Sequence, residues 1–174
     1  MAVGNLEFIK SASGTSVSSL SVTDCFSDKY DVYAVVSTSQ EQTGTSTLFG
    51  YMRFINSGGV ISTANYDYAS LRVASFEAFA EIRGTNATSI QNQFFLDTEN
   101  YEESGGIVAY VYNPYDSSSY TFLSAQSTYF NNANGGMGSK GIGVYKVAEQ
   151  VTGVNILVSS ATLDDINLKV YGVK

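Results

Sequence analysis

The chain has 174 residues, the size of one domain. Nine basic residues against sixteen acidic ones give a net charge of −7, with no Lys/Arg cluster, which argues against a phosphate-contacting nucleic-acid surface. There is no histidine and one cysteine, Cys25, so Ser-His-Asp and Cys-His catalysis, His-ligated metal sites and an internal disulfide are excluded within these residues.

Apolar residues make up 44% of the sequence, too many for a disordered chain. The longest apolar runs, Val32 to Val36 and Ile107 to Tyr112, fall far short of the roughly 20 residues of a membrane-spanning helix. Met1 to Lys10 has no basic n-region and no long apolar h-region, so no signal peptide is expected and synthesis in a cytosol is.

In chain order, runs rich in Val, Ile, Phe and Tyr alternate with Gly, Ser, Thr and Asn. This pattern predicts strands separated by turns. The first runs are Leu6–Lys10, Val17–Thr23, Tyr30–Ser37, Thr47–Ile55, Gln93–Leu96 and Ile107–Tyr112. Ser119–Ser124, Gly143–Ala148, Val154–Ser159 and Ile166–Tyr171 complete the set. Roughly ten strands at this spacing indicate an all-β fold, an antiparallel sandwich or barrel in one domain over residues 1–174.

Several runs alternate as half-buried strands do, with Leu6 and Phe8 on one face and Glu7 on the other. Ile166, Leu168 and Val170 share a face in the last run. In the run from Tyr30, Tyr30, Val32, Ala34 and Val36 lie on one face, and Asp31, Tyr33 and Val35 on the other. A sheet covered on both sides would suit such a strand. Cys25 follows the alternation of Leu20 and Val22 and reads as a small buried hydrophobe.

Tyr68 to Arg83 reads as a strand whose period slips once, between Val73 and Phe76, with a short helix as the alternative. Asn56-Ser57-Gly58-Gly59 is a break, and Asn113-Pro114-Tyr115-Asp116 is a turn after a strand. Asn131 to Lys140, NNANGGMGSK, is expected to be an exposed loop. Its glycines lack the spacing of a phosphate-binding loop.

No catalytic constellation is visible, and the chain is not expected to be an enzyme or to need a cofactor or metal. Asp97, Glu99, Glu102 and Glu103 form an acidic stretch read as a solvated loop; its spacing fits no EF-hand. A paired-carboxylate hydrolase resting on Asp97 and Glu99 is the weakest of the function classes weighed. Asp164 and Asp165 read as a turn before the last strand. The candidate surface is aromatic: Tyr110, Tyr112, Tyr115, Tyr120 and Tyr129 crowd the segment around Pro114. They either pad the sandwich faces or stand exposed at a subunit interface or against a sugar ring.

Three stretches carry a resemblance: Leu6-Glu7-Phe8-Ile9-Lys10 with Ser18–Val22 and Tyr30–Tyr33; Asn113-Pro114 with Tyr120-Thr121-Phe122; and Val151–Ile156 with Leu168–Lys174. In its short Ser/Thr-rich strands, abundant Tyr and Phe, and scarcity of Pro and Cys, the chain resembles the small jelly-roll virion proteins of tailed (marine) bacteriophages. The resemblance implies a jelly-roll sandwich and a structural role in the virion, made in the host cytoplasm. The leading expectation is a head decoration or knob-like surface protein acting through contacts with other virion proteins, and a homo-oligomer. The alternative is a tail-associated or fibre-tip module that binds host surface glycans. Neither nucleic acid nor membrane is an expected partner.

Overall fold

In a computed structural model of the chain, residues 5–38, 40–42, 48–96, 105–131, 135–160 and 162–174 are described. They form strands and no helix. In order these are β1 (Leu6–Gly14), β2 (Ser19–Val22), β3 (Val32–Ser37), β4 (Gln40–Gln42), β5 (Leu48–Asn56), β6 (Gly59–Val60) and β7 (Tyr66–Ala74). The second half holds β8 (Ala80–Ala87), β9 (Ile90–Leu96), β10 (Gly106–Tyr112), β11 (Thr121–Asn131), β12 (Gly135–Tyr145), β13 (Gly153–Val158) and β14 (Leu163–Val173).

Two antiparallel sheets result. The larger runs β1-β14-β3-β10-β11-β12-β7-β8, with β4 also on β14; the smaller runs β2-β13-β5-β6, with β9 also on β5. The pairing is nested: β1 meets β14, β2 meets β13, β3 meets β10, and β5 meets β9. Two hairpins, β7–β8 and β11–β12, extend the larger sheet beyond this nest.

The core lies between the sheets and follows from period-two alternation. Tyr33 and Val35, Ile107, Ala109 and Val111, Leu123 and Ala125, and Ile166, Leu168 and Val170 point inward from the larger sheet. Val22, Met52, Phe54, Val154 and Ile156 meet them from the smaller one. Each buried Val, Leu, Ile, Met or Phe among them contributes about 1.5–3 kcal/mol, so the inner faces hold the sandwich together. Cys25 is buried as expected, its thiol donating to the Val22 carbonyl at 3.3 Å. On the inner face of β12, Gly143 lets Ile90 come in close: a Cβ there would sit 2.6 Å from the Ile90 Cδ1.

All ten runs named above contain strand. The differences lie between them. The slip in residues 68–83 is a chain reversal: β7 ends at Ala74 and β8 returns from Ala80. Neither a single strand nor a helix describes it. The glycine-rich stretch is no loop from Gly135 onward, because β12 begins there and pairs with β11 from Asn131↔Gly135. Ladder hydrogen bonds to β11 on one edge and β7 on the other satisfy its backbone, so its small side chains do not prevent a strand. Asp164 and Asp165 fall within β14 rather than in a turn before it, at a register shift opposite β4. Ser57-Gly58 makes the tight return between β5 and β6, and the Pro114 turn is closed by Asp116 N–H to Asn113 carbonyl at 3.4 Å.

Candidate functional site

Alternation that sends one set of residues to the core sends the other set outward. On most solvated sheets that outward set is polar. On the smaller sheet it is mixed: Ser19, Ser21, Arg53 and the nearly buried Asn155 share that face with Tyr51 and Leu157, Asn155 Nδ2 donating to Ser21 Oγ at 2.9 Å and Arg53 Nε to the Thr88 carbonyl at 2.9 Å.

The larger sheet departs further from the pattern. Cross-strand register puts its outward residues in rows. One row reads Phe8, Tyr171, Ala34, Tyr110, Ser124, Ile142, Ala69, Arg83. The row on one side reads Val32, Tyr112, Phe122, Val144, Asp67, and that on the other Val36, Val108, Gln126, Lys140, Leu71, Glu81. Ile142 is 63% exposed, Phe8 56%, Phe122 45% and Tyr110 39%. The Lys146 ammonium, 2.8 Å from Asp67, neutralises that carboxylate and holds it below the usual carboxyl range.

This face has two parts. Phe8, Tyr171, Tyr112 and Phe122 form an aromatic strip, with the Phe8 and Tyr171 rings edge to face at 5.8 Å. Beside it the surface is hollowed into a concavity of about 1250 Å³ between β3 and β8. Short side chains at Ser124 and Ala69 leave room between Tyr110, Ile142 and Arg83, while Val108, Gln126, Lys140, Leu71 and Glu81 continue the lining. Ion pairs among the described residues are Lys29–Glu7, Arg72–Glu77, Lys146–Asp67 and Lys174–Glu7. Arg83, Lys140 and Glu81 belong to none of them.

The five tyrosines separate. Tyr110 and Tyr112 stand on the outer face, the Tyr112 hydroxyl 3.0 Å from Ser124 Oγ. Tyr120 is exposed just before β11, and Tyr115 is half-buried in the turn. Tyr129 is 7% exposed, because odd positions of β11 face the core, and its hydroxyl meets Met137 Sδ at 2.8 Å. It therefore leaves the candidate surface. Asp97, Glu99, Glu102 and Glu103 lie outside the described residues. Among the described residues no group of three His, Cys, Asp or Glu could hold a metal ion.

Sequence reasoning missed Ile142, Lys140, Arg83 and Glu81. A signal was present: Lys140, Ile142 and Val144 alternate with Gly141 and Gly143, as a strand would. No protein-family model matches the chain, and no curated protein matches its sequence.

Proposed function

We propose that the chain is a structural protein of a phage virion, a jelly-roll module that acts through protein–protein contact, as a head decoration or knob-like surface protein. The observation that carries this reading is the aromatic strip on the outer face of the larger sheet. An outward strip with Phe8 and Phe122 exposed and Tyr112 and Tyr171 half-buried between them is costly to leave in water and is what an assembly contact covers. The nested strand order supports the jelly-roll part, since a folded-over hairpin pairs first strand with last and works inward.

The test is quantitative mass spectrometry of heads and tails separated from purified particles, with Phe122→Asp as the comparison. Many copies on heads, lost in the variant, are the expected result. Absence from both fractions overturns the reading. A second reading, a tail-associated module that binds host surface glycans, is favoured by the concavity beside the strip, and a few copies travelling with tails would select it.

A further inference from the structure

We propose that the concavity on the outer face of the larger sheet binds an oligosaccharide carrying carboxylate groups. This rests on the second reading above and names its ligand chemistry.

Size comes first. At about 1250 Å³ the hollow exceeds the 300–1,000 Å³ of most small-molecule sites. From Tyr110 to Arg83 the row crosses four strand spacings, about 19 Å at about 4.8 Å each. That is room for an elongated ligand of several sugar units.

The lining chemistry selects the class. β10, β11, β12 and β7 are paired on both edges, so the floor offers no free backbone groups. The free edge of the sheet here belongs to β8, at the border of the hollow, so a peptide added as a strand would lie beside the floor and not over Tyr110 and Ile142. What the floor does offer is side chains. The Tyr110 ring and the Ile142 side chain present apolar surface to the C–H face of a sugar, and Gln126 donates and accepts toward hydroxyls. Glu81 accepts from further hydroxyls.

Charge then selects acidic over neutral sugars. The chain as a whole carries −7, yet this lining has two cations, Arg83 and Lys140, against one anion, Glu81. No ion pair among the described residues uses either cation. Arg83 presents a planar fork suited to a carboxylate, and Lys140, on β12, lies in the middle of the floor, two strands away from Glu81 across Leu71.

The experiment is isothermal titration of the isolated chain with three tetrasaccharides: α2,8-linked sialic acid, galacturonic acid, and neutral maltotetraose. At least one acidic ligand is expected to bind at least about tenfold more tightly than maltotetraose, the gap shrinking as salt is added. Arg83→Gln, Lys140→Gln and Tyr110→Ala are each expected to weaken that binding about tenfold, and Ser19→Asp on the opposite face to leave it unchanged. Equal melting temperatures among the variants establish that each is folded.

No acidic binding at millimolar ligand, equal affinity for maltotetraose, or indifference to both charge removals overturns the proposal. So does a concentration-dependent dimer abolished by Ile142→Asp without any saccharide binding, which assigns the hollow to a second copy. Because binding is read on the isolated chain, it is independent of where the chain sits in a particle.

Discussion

The Tyr33 hydroxyl accepts the Ser27 N–H and donates to the Ser27 carbonyl, both at 2.9 Å, so one side chain satisfies both backbone groups of one loop residue. Tyr33 is wholly buried and its ring lies 4.8 Å from that of Phe26. The contact ties the loop between β2 and β3 to the sandwich interior. That loop in turn meets the β12–β13 connection, where Cys25 and Phe26 donate to the Thr152 carbonyl.

Tyr33→Phe keeps the ring and removes both bonds, leaving the Ser27 groups without their partner. The expected cost is about 1–3 kcal/mol, read as a lower urea midpoint at unchanged slope.

Burial pushes the Cys25 thiol up to about 12, so at neutral pH it is neutral and shielded. Thiolate is the reactive form. Under native conditions at mildly alkaline pH, a disulfide-exchange reagent is expected to leave Cys25 unmodified, and unfolding in urea to release one thiol per chain. Rapid native labelling would contradict the buried placement.

The Lys29 ammonium, 2.5 Å from the Glu7 carboxylate, and Lys174 at 3.2 Å hold Glu7 well below its ordinary value, at about 2. The folded pKa lies below the unfolded one. The stabilisation is therefore complete above the ordinary value of 4.5 and is lost as pH falls from there through about 2. Glu7→Gln is expected to melt below wild type at neutral pH and to converge with it near pH 2, in melting curves taken across that range. Both charges are exposed, so added salt is expected to narrow the neutral-pH gap.

A methyl group at Gly143 would collide with Ile90, which is fully buried. Gly143→Ala is expected to destabilise by about 1–3 kcal/mol through overpacking. Gly136 lies on the same strand with nothing within 4 Å of a Cβ, and Gly136→Ala is expected to stay within about 0.5 kcal/mol of wild type. Denaturant titration of the pair separates a packing effect from a general intolerance of β12 to alanine.

The architecture was legible where one face alone is buried. Ile166, Leu168 and Val170 alternate cleanly and point inward from β14; Leu6 and Phe8 also mark a strand, but they face outward. It was illegible where a reversal hides inside an apolar stretch or where the side chains are missing. Leu71 and Val73 point outward from β7, so their apolar character obscured the reversal that follows. Gly135, Gly136 and Gly138 point nowhere, so only their pairing with β11 reveals the strand. The concavity is built from residues within 36–38, 69–71, 81–83, 106–110, 124–128 and 140–142, six separate segments brought together by register. No local pattern announces such a site. The tyrosine cluster marked part of it because Tyr110 lies at its rim.

Nested pairing sets a timetable for synthesis. Leu6 must wait for Val173, and Leu20 for Ile156, so the earliest strands leave the ribosome long before their neighbours exist. The hairpins β7–β8 and β11–β12 close over short spans and can zip as they emerge. Folding is therefore expected to start in the middle of the chain and finish at its two extremities together, slowly, as non-local closure requires. Until then β1 and β2 are open edges, and a cell making this protein in quantity would have to shield them.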